Sequence, residues 1–236
     1  MRRRATGARV TAVVVALLLI AMLIALGTWQ VKRLAWKRDL IAQVDARVHA
    51  APVAAPGPAA WPKVDGPRAQ YRRLRLTGQF LPVPPALVQA ATVQGPGWWV
   101  IAPMRTEQGF VVLVNLGFVP TRAVAAPPSG PVTLTGLLRI TEPGGGFLRS
   151  NDPARDAWYS RDVAAIAAAR KLGVVAPYFI DLDAASAPPG GPIGGLTVIA
   201  FPNNHLVYAI TWYVLAMMVA GALVIFLRAD RRAAPQ

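Results

Sequence analysis

The chain has 236 residues, two histidines and no cysteine, and 54% of its residues are hydrophobic. Without cysteine there is no disulfide framework, no thiolate metal site and no thiol nucleophile. A net charge of +14 invites a nucleic-acid reading, but the cations are gathered at the ends of apolar runs. Arg2, Arg3, Arg4 and Arg9 precede the first run, Lys32, Arg33, Lys37 and Arg38 follow it, and Arg228, Arg231 and Arg232 follow the last. Charges so placed read as membrane topology and headgroup contact, with no nucleic-acid partner.

From Val10 to Leu26 only Thr11 is polar, a length near the lower limit for a membrane span. The run also fits the apolar region of a secretory signal, with Ala25-Leu26-Gly27 as a loose cleavage site. Its length and the helical pattern beyond it favour an uncleaved anchor. Leu34, Leu40, Ile41 and Val44 continue that pattern, and Trp29 and Trp36 read as interfacial aromatics.

The stretch from Ala50 to Pro67 is rich in Pro, Ala and Gly and reads as an extended linker. Arg73 to Phe80 alternates, with Leu74, Leu76 and Phe80 on one face, the pattern of a half-buried strand. Ala86 to Val93 is a weaker strand. Gly97 to Met104 and Phe110 to Asn115 form a hairpin around Glu107-Gln108-Gly109. Val132 to Ile140 alternates again. Trp158 to Leu172 is Ala-rich and ends before Gly173, which predicts one helix. Tyr178 to Leu182 is the last strand. Antiparallel strands with one helix predict a small α+β domain or a partly open barrel.

That middle stretch shows no catalytic constellation. It has no metalloprotease motif, no nucleophile elbow and no phosphate loop, since Gly144-Gly145-Gly146 lacks a following Lys-Ser/Thr. The chain is therefore not read as an enzyme. Asp181 and Asp183 are near enough in sequence to touch a cation, but strand-end carboxylates are usually solvated. Arg72, Arg73 and Arg75 read equally as a basic patch or a solvated strand face.

From Leu206 to Leu227 there is no charged residue, and 22 residues at ~1.5 Å rise span the ~30 Å hydrocarbon core. Asn204 stands where a helix cap is expected. His205, Tyr208, Ala209 and Trp212 then share one helix face. Aromatic belts are common on membrane helices, so that face has two readings: an ordinary belt, or a ring-binding face in which the imidazole is an axial ligand to haem iron. Ala209, Ala216, Ala220 and Gly221 offer small residues where another helix approaches.

The order of several motifs resembles the Surfeit locus protein 1 family. They are Gly27-Thr28-Trp29-Gln30 with Arg33 and Trp36-Lys37, then Tyr71-Arg72-Arg73 through Gly78-Gln79-Phe80. Val114-Asn115-Leu116-Gly117-Phe118-Val119-Pro120 and Asn151-Asp152-Pro153 with Trp158-Tyr159 and Asp162 follow. Asn203-Asn204-His205-Leu206 with Tyr208-Ala209 and Thr211-Trp212-Tyr213 closes the match. The sequence departs from the family at Leu116 and Phe118, where the family generally has Arg and Trp.

The resemblance implies an assembly factor for haem–copper cytochrome c oxidase, with haem A as cofactor. The expected partners are the oxidase catalytic subunit, haem A synthase and membrane lipid. The residue matching His205 is implicated in haem binding in bacterial relatives, which makes His205 the expected iron ligand. Tyr208 and Trp212 are then expected to flank the porphyrin. Lys32, Arg33, Lys37 and Arg38 are candidates for its propionates, or else for phospholipid headgroups. A scaffold that binds no haem, and an anchored domain serving another complex, remain alternatives.

The expected architecture is a membrane protein with two transmembrane helices flanking a small α+β, mainly antiparallel, extracytoplasmic domain. The segments are a cytoplasmic terminus at 1–9, spans at 10–27 and 204–227, the outer domain at 28–203 and a cytoplasmic terminus at 228–236. The Arg-rich ends put both termini inside, and the expected location is the cell inner membrane with a periplasmic domain.

Overall fold

A computed structural model describes residues 2–233, with side chains described for 7–229. The side chains of Arg2, Arg3, Arg4, Arg231 and Arg232, which carry part of the topology expectation, lie outside the described residues. The chain divides into two compact units, one of residues 1–43 with 200–236 and the other of residues 44–199.

The first unit is a pair of helices. The helix α1, Arg2–His49, runs unbroken through the expected end of the first span. It is long because nothing stops it: no Pro or Gly interrupts the stretch from Thr28 to His49.

In the second unit the chain makes β1 (Val53–Ala54), a 3-10 turn at Pro58–Lys63 and a short helix α2 (Gly66–Ala69). Then come β2 (Arg73–Phe80), β3 (Ala86–Thr92), β4 (Gly95–Thr106), β5 (Val111–Val119) and β6 (Pro131–Ile140). A small hairpin of β7 (Gly145–Gly146) and β8 (Arg149–Ser150) leads to α3 (Val163–Ala169) and β9 (Val175–Leu182). The chain then returns to the first unit as α4, His205–Ala233.

The strands are hydrogen-bonded in the order β1-β2-β6-β9-β5-β4-β3, and β2 also pairs with β4. That extra pairing closes β2, β6, β9, β5 and β4 into a barrel, with β1 and β3 outside the ring. Closure happens at Gly78, which is paired with Val132 of β6 and with Thr106 of β4. A Cβ at Gly78 would lie 2.2 Å from the Arg105 carbonyl oxygen, so only glycine lets the two backbones meet there. The ring is mostly antiparallel; β5 and β9 are parallel. The domain is thus more fully closed than the partly open barrel expected from alternation alone.

Two apolar clusters hold this unit. The barrel interior takes Leu74, Leu76 and Phe80 of β2, Val112 and Val114 of β5, Leu138 of β6 and Ile180 of β9. Leu116 joins them at 2% exposure. Phe118 is buried edge-on against Trp99, with ring centroids 6.1 Å apart. The second cluster lies where α3 covers the sheet: Val163 and Ile166 pack with Phe179, Leu113, Ile101, Val88 and Trp158.

Two sequence expectations are corrected here. The predicted helix over Trp158 to Leu172 is confined to Val163–Ala169. Asp162 caps it by accepting from the Ala165 N–H, while Trp158 is drawn into the second cluster and bonds Asp156. Lys171, in the left-handed conformation, ends the turn before Gly173 is reached. The stretch from Ala50 to Pro67 is not a bare linker. Ala55 is buried, Trp61 stands edge-on to Phe110, and the Trp61 indole and the Tyr178 hydroxyl both donate to the Pro56 carbonyl.

Candidate functional site

The helix pair is built on two complementary stripes. On α4 the covered positions step by three and four: His205, Ala209, Trp212, Ala216 and onward. On α1 they are Ile20, Leu23, Gly27, Gln30, Leu34 and Lys37. This spacing makes a narrow seam between two helices. The helices are antiparallel, because Gly27 meets Tyr213, Gln30 meets His205 and Lys37 meets Phe201. Ala209 and Ala216 are 2% and 5% exposed, so these small residues are covered by α1 of the same chain. Of the four small residues named in the sequence, Gly221 is exposed and has open space beside it.

The outward faces are apolar. Val14, Leu17, Leu18, Met22 and Ile24 on α1 are exposed, as are Val207, Ile210, Met217, Met218 and Ile225 on α4. Both helices are long and apolar enough to cross a membrane.

Polar groups gather at one end of the seam. His205 Nδ1 and Gln30 Oε1 lie in hydrogen-bond contact at 2.7 Å, and Gln30 is only 9% exposed. Among the described residues no hydrogen bond reaches the other ring nitrogen, Nε2. One helix turn from His205 along the stripe, and again at Trp212, the face is covered; among the described residues the buried Trp212 indole Nε1 has no hydrogen-bond partner, and neither has Asn203 Oδ1. Thr28 and Tyr213 share a hydrogen bond of 3.1 Å. Asn204 takes the position expected of a cap, its carbonyl accepting from the Tyr208 N–H.

The helical period sorts the remaining candidates. At about 100° per residue, Arg33 lies about 60° round α1 from Gln30, and Tyr208 about 60° round α4 from His205, in the same rotational sense. In an antiparallel pair equal senses fall on the same flank. Gly27 and Tyr213, both displaced the other way, are in contact on the opposite flank, as this rule requires. Arg33 and Tyr208 therefore share a flank with the exposed rings of Trp29 and Trp36, and the Arg33 guanidinium stacks over Trp36 at 3.9 Å. Lys32 is about 200° from Gln30 and faces away from the seam. Lys37 lies in the seam over the Phe201 ring, and Arg38 falls on the flank opposite Arg33.

The seam thus brings His205 and Trp212 together and adds Gln30, which sequence reasoning passed over. Gln30 was legible as a polar residue on an apolar stripe; its partner was not. Arg33 and Tyr208 border the site, and Lys32 does not.

The second unit holds a buried charge cluster that the sequence also hid. Asp181, expected to be solvated, is 3% exposed. Arg139 donates to it at 2.7 Å, Asn115 at 2.8 Å, Thr197 at 2.9 Å and Arg161 at 3.3 Å. Arg161 also grips Glu142, donating from Nε at 3.0 Å, and stacks over Phe179. Burial works against the Arg161 charge, but Glu142 and Asp181 outweigh it and raise its pKa above the ordinary value. Asp183 is paired with Arg73 at 2.8 Å. With both oxygens of Asp181 taken by donors, the cluster pins strands and the returning chain at Thr197, and offers a cation nothing. Among the described residues, no three His, Asp or Glu gather to hold a metal ion.

The fold and the seam define a class: a β-barrel domain carried between two terminal apolar helices, with one histidine in the seam. A model of the SURF1 family matches residues 17–217, and the chain belongs to that family. It is 35% identical to mouse Surfeit locus protein 1 over 219 residues, which are 84% of this chain and 69% of that protein. The human Surfeit locus protein 1 is also 35% identical, over 80% of this chain and 68% of its own length. A SURF1-like protein of Monosiga brevicollis is 37% identical over 86% of this chain and 82% of its own. The resemblance read from the motifs is therefore correct as to family.

Proposed function

We propose that the chain is a membrane-anchored assembly factor for haem–copper cytochrome c oxidase, and that the seam at His205 holds haem A. Membership of the SURF1 family, a family of cytochrome oxidase assembly factors, supports the first half. The observation that carries the second is the polar end of the seam. An ionisable residue among apolar spans is costly and marks a site by default. His205 sits there with a ring nitrogen that has no hydrogen-bond partner among the described residues, on the same helix face as the buried Trp212 indole N–H, which also has none there.

The residues present fit the group. His205 supplies a neutral imidazole nitrogen, a donor that haem iron takes. Arg33 supplies a guanidinium on the bordering flank for a propionate, and Tyr208, Trp29 and Trp36 supply aromatic surface. The Trp212 N–H is a donor for an oxygen substituent of the ring. Bound haem A would give the site an iron centre with a recognisable absorption spectrum; the chain's own part is to orient it, shield it from lipid and hold its carboxylates.

The anchored scaffold without haem is the competing reading. It is favoured by the same His205–Gln30 bond, taken simply as a clasp between helices. Purification in detergent from cells that make haem A separates the two. The haem reading expects a haem A spectrum with the protein and co-purification of the oxidase catalytic subunit. The scaffold reading expects any haem A spectrum to travel with the subunit and to be unchanged in the His205→Ala protein. Neither subunit nor spectrum would remove the proposal.

A further inference from the structure

We infer that Gln30 is a positioning residue that presents Nε2 of His205, and not Nδ1, as the ligating atom; the inference rests on the haem reading above. Gln30 Oε1 is an acceptor only, so a 2.7 Å contact with Nδ1 requires the ring proton on Nδ1. The lone pair is then on Nε2. Imidazole in water is free to carry its proton on either nitrogen, and a ring with the proton on Nε2 has no lone pair there for iron. The acceptor is held firmly enough to decide the matter. Gln30 occupies the stripe between Gly27 and Leu34 and is nearly buried, where an unpaired amide would be costly. The arrangement matches the general pattern in which a metal-binding histidine donates its other N–H to a fixed acceptor, setting tautomer and ring angle.

Two histidines in the chain make the tautomer directly readable. The full-length protein is purified in detergent with 15N-labelled histidine and studied by long-range 15N–1H NMR at about pH 8, where imidazole is neutral. His205→Ala assigns the His205 signals by their loss. The wild type is expected to show Nδ1 protonated and Nε2 bare. Gln30→Leu is expected to shift the proton to Nε2, and Gln30→Glu, which keeps an acceptor, to restore the wild-type pattern. Titration with haem A should then show about 10- to 100-fold weaker binding to Gln30→Leu than to wild type or Gln30→Glu, the usual cost of losing such a partner. A wild-type ring protonated on Nε2, or a tautomer unchanged in Gln30→Leu, overturns the role of Gln30 whatever haem does. Undiminished haem A binding by His205→Ala overturns the ligand reading instead, and the tautomer data still show whether Gln30 sets the ring.

Discussion

At the scale of single residues, the barrel depends on one carboxylate. Asp181 stands directly across from Asn115 of β5 and Leu137 of β6, and its two oxygens accept from side chains of four other segments. Replacing it with Asn leaves Arg139 and Arg161 with an uncompensated buried charge, which generally costs 3–5 kcal/mol, here taken as about 3 because Glu142 remains. Asp181→Asn is therefore expected to lower the urea midpoint of the barrel unit markedly, measured by tryptophan fluorescence of the full chain in detergent. A midpoint within error of wild type would mean that Glu142 alone holds both guanidinium groups. Tyr178 makes a pH-dependent contribution. Burial pushes its hydroxyl well above the ordinary value of 10.0. The folded state keeps the proton while the unfolded state releases it, so the stability it contributes is complete below about pH 10 and declines above it. Tyr178→Phe should lose the bond to the Pro56 carbonyl, about 1 kcal/mol. It should also show a shallower loss of stability above pH 10 than wild type; parallel curves would contradict the assignment.

At the scale of elements, the helix pair rests on close approach. A Cβ on Gly27 would lie 2.8 Å from the Tyr213 ring, whereas one on Gly221 would meet nothing within 4 Å. Gly27→Val should force Tyr213 aside, break its bond to Thr28 and cost about 1–3 kcal/mol as overpacking does. Gly221→Val should leave the helices unchanged. Circular dichroism through heating in detergent reads the difference; equal midpoints would contradict the seam. Elements of this kind were legible in sequence to different degrees. Strand β2 announced itself because its alternation reflects one face toward the barrel interior, and the β4–β5 hairpin because a turn signal separates two apolar runs. The parallel pairing of β5 with β9 was not legible, since register between distant segments leaves no local trace. Asp181 looked like any strand-end acid because its partners come from β5, β6 and the loops around Arg161 and Thr197. His205 was visible from its helix face and from the family motif. Gln30 was legible only as a polar residue on an apolar stripe, since its partner lies 175 positions away, and Lys32 seemed as good a cation as Arg33 until the stripe on α1 fixed which side faces α4.

At the scale of the whole molecule, the antiparallel seam puts residues 43 and 200 at one end of the helix pair and the helix ends at Arg2 and Ala233 at the other. We propose that the arginine-rich ends keep the termini on the cytoplasmic side, with the middle of the chain outside. A reporter active only outside the membrane should give signal when fused after Ala55 and none after Gln236; the reverse would contradict this topology. In this arrangement the polar end of the seam lies toward the outer membrane surface, with Arg33, Trp29, Trp36 and Tyr208 bordering it. The central claim is that His205 holds haem A there, and its most direct measurement is the haem content of the protein purified from cells that make haem A, with and without His205. His205→Ala should lose the haem absorption while protein level and membrane insertion stay at wild-type values, because a histidine at this depth contributes little to insertion. Full haem occupancy in the His205→Ala protein would contradict the account.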